Sequence, residues 1–321
     1  MSTVPSDDAQ PVLVEIVRSG FVEGVHRGRL VLLGAAGEVT LELGDVRTPL
    51  LPRSCSKPLQ AVGMLEAGLE LDGPLLAIAS GSHQAQDFHV GAVRKILAEA
   101  GLGEEALQTP ATRPGNEAAL IEFYRRGEQD APIHYNCSGK HAAMLSTAAH
   151  NGWPTATYLD PAHPIQQACR AAVERLAGEP IGYEAVDGCG APLLGISLLG
   201  LARAVRECVL AAPGTHERRV ADAMRAHPEY VAGEGELDTI AMRAVPGLLA
   251  KTGAESVYVA ALADGRTLAF KIDDGATRAR PVVLAQALRL LDVPAADVTP
   301  FGSVPLLGGG RPVGELRPVF G

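Results

Sequence analysis

Lysine is scarce in this chain: Lys57, Lys95, Lys140, Lys251 and Lys271 are the only five among 28 Lys and Arg residues. Arginine stays protonated at any workable pH, whereas a buried lysine can give up its proton near neutrality. With arginine filling the ordinary charge roles, the remaining lysines are candidates for proton chemistry. Positive charge is short overall. A net charge of −9 argues against nucleic acid or an anionic membrane as the main partner. No apolar run reaches membrane-spanning length, and the longest candidate, APLLGISLLGLARAV, is broken by glycine and arginine. The opening MSTVPSDDAQPV is polar and acidic, unlike a secretory signal, and residues 1–10 are expected to form a disordered tail. Five cysteines, an odd number in a large chain, do not make a disulfide framework and point to a reducing, cytoplasmic setting. Repeats, heptads and low-complexity linkers are absent, which excludes repeat proteins and coiled coils.

What is present is enough to fold. At 321 residues and 47% hydrophobic, the chain can bury a substantial core as one large domain or two lobes, and residues 11–321 are expected to form a single two-lobed domain. VLVEIVRSG reads as a strand, and RLVLLGAAGEVTLEL as two strands joined by a glycine-bounded turn. SVYVAALADGRTLAFKI repeats that form, with Asp264-Gly265 as its hairpin turn, and GELRPVF holds a final short strand. Between them, QDFHVGAVRKILAEAGLG has helical periodicity with Asp87 as a candidate N-cap, and PIQQACRAAVERLAGE and ARPVVLAQALRLLD read as helices too. The fold class is therefore α/β of the α+β kind. An antiparallel sheet from N- and C-terminal hairpins is flanked by helices, beside a mostly helical lobe. The default ligand site is the cleft between them.

Four stretches carry candidate chemistry. In PRSCSKPLQ, Ser54 stands three residues before Lys57, which places both on one face of a helix starting nearby. Pro58 fits only the first turn of such a helix. A serine–lysine nucleophile needs this spacing, although an N-cap serine followed by a solvated lysine has it as well. In YNCSGKHAAML, Cys137 and Lys140 flank a Ser-Gly turn, with Ser138 as a candidate cap. In DGCGAP, Asp187 and Cys189 stand among glycines; Cys137 and Cys189 either jointly hold a soft metal such as zinc or are two buried loop thiols. Cys169 and Cys208, in apolar helical contexts, read as inert core residues. ASGSHQAQDFHV gathers Ser80, Ser82, His83 and His89, serving either chemistry or the turn itself. FKIDDG ends a strand with Lys271, which is either a lysine whose pKa apolar neighbours depress or a solvated strand-end lysine.

Taken in order, RSCSKPLQ, NCSGKHAAML, YLDPAHPIQ, DGCGAP, HPEYVAGEGELDT, KTGAESVY and FKIDDG resemble the rhizobial-type, or class 3, L-asparaginases over roughly residues 12–290. The resemblance implies a serine β-lactamase/glutaminase-like fold, a homodimer, and hydrolysis of L-asparagine to L-aspartate and ammonia through an acyl-enzyme. It implies two serine–lysine pairs, Ser54 with Lys57 and Ser82 (chosen over Ser80) with Lys271. It also implies metal ligands Cys137, Lys140 and Cys189, with Arg53, His141 and Asp187 near the substrate. Where the family reads Ser-His-Ser-Gly-Glu, this chain has SHQAQ, a difference that bears on selectivity. Glutamine is the competing substrate, one methylene longer. A β-lactamase-like hydrolase and a non-catalytic amino-acid-binding protein of the same fold are the other classes.

Overall fold

The computed structural model describes residues 10–321. The expected tail lies outside the described residues except for Gln10, which is buried. Strands β1 (Val12–Arg18), β2 (Phe21–Leu33) and β3 (Val39–Leu43) open the chain. A small hairpin, β4 (Tyr183–Val186) with β5 (Pro192–Gly195), interrupts the helices. The closing strands are β6 (Leu249–Thr252), β7 (Val257–Ala261), β8 (Thr267–Ile272), β9 (Pro305–Gly308) and β10 (Arg311–Pro318). Among the described residues, β6–β7–β8–β2–β1–β10–β9 form one antiparallel sheet, with β3 also paired to β2. The strands of the two chain ends thus share a sheet, as their hairpin patterns predict. In register, Ile16 faces Leu316 across β1 and β10, and Arg29 faces Lys271 across β2 and β8.

Helices α1 (Lys57–Glu66), α2 (Gly73–Ala79), α3 (Asp87–Glu99), α4 (Glu117–Arg125), α5 (Ser138–His150) and α6 (Pro164–Ala177) lie in the first half. They are followed by α7 (Leu198–Leu210), α8 (His216–Ala226), α9 (Pro228–Val231), α10 (Leu237–Ala244), α11 (Arg280–Leu290) and α12 (Ala295–Val298). Helix α7 packs on β2, β7 and β8, while α11 packs on β1, β8 and β10. All of β8 except Lys271 is buried, as expected of a strand covered on both faces. The others pack chiefly on one another, α1 against α5, α6 and α8, and α2 against α5 and α8.

Local chemistry explains the boundaries. Pro58 occupies the first turn of α1, where its missing N–H costs nothing. The α6 helix starts at the His163 side chain, which accepts the Ile165 N–H, and ends at Gly178 in a left-handed conformation. Two cap assignments change. The N-cap of α3 is Gln86 rather than Asp87, in a reciprocal box with His89. Ser138 does not cap α5, because its hydroxyl bonds the Ile133 carbonyl instead.

Candidate active site

The site starts from a strained turn. Arg53–Ser56 form one turn of 3₁₀ helix leading into α1, and Arg53 has φ +51°, a left-handed value uncommon for a residue with a Cβ. The turn rests on β6 and β7. Gly253, just after β6, permits that approach: a Cβ there would lie 2.9 Å from the Pro52 carbonyl oxygen and 3.1 Å from Cys55 Sγ. Buried Cys55, its thiol pushed up to about 12 by desolvation, stays protonated and donates to the Lys251 carbonyl at 3.1 Å. Ser54, beside it, is partly exposed, and its hydroxyl has no hydrogen-bond partner among the described residues.

Three of the five lysines are among the largest fully buried side chains: Lys57, Lys140 and Lys251. Lys57 Nζ donates to the Gly81 carbonyl at 2.5 Å and to Ser82 Oγ at 2.9 Å. Ser82 is therefore joined to Lys57. Ser80 instead bonds back to the Leu76 carbonyl at the end of α2. Lys271 does not reach Ser82. Its half-buried amine bonds the neighbouring Ile272 carbonyl and stands among Asp273, Glu255, Arg29 and Asp274. The lysine in the centre that sequence reasoning missed is Lys251. Fully buried on β6, it donates to the Thr252 carbonyl at 2.6 Å and lies 4.0 Å from buried Asp238. Desolvation lowers its amine to about 8 despite Asp238, with the charge of Lys57 adding to the effect. The signal was available: Lys251-Thr252-Gly253 beside a Ser-x-x-Lys is the pairing found in serine β-lactamases and penicillin-binding proteins.

Three buried histidines are held below their ordinary values. His83 Nδ1 accepts the Ala85 N–H, so Nε2 carries the hydrogen and donates to Ser138 Oγ at 2.8 Å. Burial, then His89 and Lys57, hold His83 well below its ordinary value, and His89 falls to about 4, chiefly by burial. His141 is wholly buried and held well below its ordinary value by desolvation, then by Lys140 and Lys57. Tyr158 Oη accepts the Gln108 N–H and donates to His141 Nδ1 at 2.8 Å, which leaves the hydrogen on Nε2. That buried N–H has no partner.

At the start of α5, Lys140 Nζ approaches Cys189 Sγ at 3.4 Å, and Cys137 and Cys189 pack in one small cluster. The neighbouring Cys189 thiol pulls Cys137 well below its ordinary value against burial, with help from Lys57 and Lys140. Cys189 is raised by Cys137 and by desolvation. Burial works against charge on Lys140, but Cys189, Cys137 and Asp187 outweigh it and raise the amine. Two sulfurs and an amine side by side near Asp187 are donors suited to a soft cation, which would displace the proton from Lys140. No group of three or more His, Cys, Asp or Glu able to hold a metal occurs among the described residues, so this set rests on the lysine. Cys169 and Cys208 are buried, each pushed up to about 12 mainly by desolvation, in keeping with inert core residues.

Arg53 Nε bonds Asp187 Oδ1 at 2.9 Å, which pairs the two expected substrate-binding charges with each other. Burial alone would raise the Asp187 carboxyl, but Lys140, the Gly188 N–H and Arg53 hold it below its ordinary value. A cavity of about 610 Å³ lined by Arg175, Arg203 and Arg206 contains none of these residues.

The family described as L-asparaginase II matches residues 14–318. The chain belongs to that family, in line with its ordered motifs. No curated protein sequence matches it. Among solved structures, it is similar to Mglu in its native form at 15% identity and TM-score 0.44, over 83% of this chain and 64% of that one. It thus spans slightly less than two thirds of that protein's length. Two further distant likenesses are EstCE1, a hydrolase with promiscuous acyltransferase activity (12% identity, TM-score 0.44, 88% and 94% covered), and a beta-lactamase from Mycobacterium bovis (14%, 0.40, 78% and 88%). No helix among the described residues is long and apolar enough to cross a membrane.

Proposed function

We propose that the protein hydrolyses L-asparagine to L-aspartate and ammonia through an acyl-enzyme on Ser54. The observation that carries this reading is the burial of Lys57, three residues after an unbonded, partly exposed serine on a strained turn, and of Lys251, whose carbonyl takes the Cys55 thiol of that turn. Ser54 Oγ attacks the carboxamide carbon, and Lys57, one helical turn on, takes its proton. Backbone N–H groups at the start of α1 and the unpartnered His141 Nε2–H are the available donors for the developing oxyanion. The tetrahedral centre collapses, the C–N bond breaks, and ammonia leaves with a proton returned by way of Lys57 and Ser82. Water then cleaves the ester by the same route and frees aspartate. The substrate zwitterion separates the Arg53–Asp187 pair, placing its ammonium on Asp187 and its carboxylate on Arg53.

Cys137, Lys140 and Cys189 would hold a zinc ion. When bound, the ion supplies a fixed positive charge beside Asp187. A homodimer in the cytoplasm completes the proposal. The test is ammonia release from L-asparagine, L-glutamine and a β-lactam, measured alongside acylation of Ser54. Faster turnover of asparagine is expected. Equal turnover of glutamine at saturation would sink the substrate assignment, stable acylation by the β-lactam would favour the β-lactamase class, and asparagine binding without ammonia would leave a sensor.

A further inference from the structure

Behind the site lies a buried acidic group that the mechanism above does not use. Asp238, on α10, is wholly buried. Its Oδ2 accepts the Thr252 N–H at 2.8 Å and lies 4.0 Å from Lys251 Nζ. Its Oδ1 has no partner at ordinary hydrogen-bond distance, and the buried Tyr258 hydroxyl on β7 faces the same carboxylate, whose charge adds to burial in raising the phenol. Unsatisfied buried polar atoms are costly, and one beside a buried ion pair calls for a functional explanation. Around it, Arg280 on α11 clamps Thr252 Oγ1 at 2.9 Å and Ser256 Oγ at 3.0 Å, fixing the β6 end that carries Lys251.

We propose that Asp238 is a positioning residue for the reaction, holding Lys251 and its proton beside the Ser54–Lys57 pair. The inference rests on the serine–lysine reading. The charged and titratable groups around Lys251 are Asp238 on α10, Lys57 on α1, Cys55 on the Ser54 turn and Cys137 before α5. Glu236, Arg280 and Tyr258 adjoin Asp238 itself. Asp238 is the carboxylate among those facing Lys251, and it opposes both burial and the repulsion of Lys57. It touches no reacting atom, so it acts only through where the lysine sits and when it is charged.

With only five lysines, protein labelled with ¹⁵N on the lysine amines gives a side-chain spectrum simple enough to follow Lys251, assigned by its loss in Lys251→Met. Asp238→Asn keeps an oxygen for the Thr252 N–H but removes the charge. The Lys251 titration is expected to move to lower pH by about 1–3 units, and the rising limb of kcat/KM with it, while KM changes little. Tyr258→Phe removes a hydroxyl that shares the Asp238 charge, so the same signal should move to higher pH. That variant carries the test if Asp238→Asn does not fold. A Lys251 titration unmoved in either folded variant overturns the proposal. Full activity in Lys251→Met would instead overturn the premise that Lys251 serves the reaction at all, and the two failures are thereby told apart.

Discussion

Scarcity of lysine has its structural counterpart in where the five side chains end up. Lys95 is exposed on α3 beside Glu99, Lys271 sits half-buried at the end of β8, and the other three are buried together. Because guanidinium cannot deprotonate, Lys251→Arg should lower the ammonia-release rate by about 10²–10⁴ in a folded protein, as should Lys57→Arg. Lys271→Arg, in reach of Asp273 and Glu255, should stay within a few-fold of wild type, and Lys95→Arg should be silent. The same assay across pH checks the charge state. A proton-accepting role for Lys251 requires the neutral amine, so the wild-type rate should rise through about pH 8. Sequence pointed to Lys57 because its partner serine is three residues away on the same helical turn. It paired Ser82 with Lys271, whereas the structure bonds Ser82 to Lys57, and Lys251 and Lys271 both lie near the ends of apolar strands. Only the packing of β6 against the Ser54 turn separates them.

At the level of elements, the Ser54 turn is held in a conformation that Arg53 adopts at a cost. A left-handed φ burdens any residue with a Cβ by about 1–2 kcal/mol, a penalty glycine escapes. Arg53→Ala and Arg53→Gly both remove the guanidinium from Asp187 and should be equally impaired in asparagine turnover. The glycine variant should nevertheless be the more stable of the two by about 1 kcal/mol, seen as a higher urea midpoint. Equal midpoints would show that the turn is unstrained. The hairpins and the start of α1 were legible because their signals are local: alternation, Asp264-Gly265, and Pro58 in a first turn. The cap of α3 was not, since Gln86 works there only with the His89 ring in return, an unusual partner for the box. Nor was the Lys57–Ser82 bond, which depends on Gly81. A Cβ at Gly81 would stand 2.7 Å from the Val231 carbonyl oxygen, a contact no local pattern reports.

For the molecule as a whole, the thiol–amine cluster makes a prediction independent of turnover. Protein prepared without chelator should carry up to one zinc ion per chain by elemental analysis, and Cys189→Ser should lose it; full retention would reject the ligand set. The sheet has a consequence of another kind, in the order of synthesis. Strand β1 lies between β2, which follows it at once, and β10, at residues 311–318. On the ribosome, at roughly 5–20 residues per second, one edge of β1 therefore stays unpaired until residues 311–318 emerge. The helices between pack largely on one another and can settle earlier, whereas an open strand edge invites pairing with other chains. A nascent chain stalled before residue 311 would hold the whole Ser54–Lys251 neighbourhood in sequence, yet it would be the form most prone to aggregate.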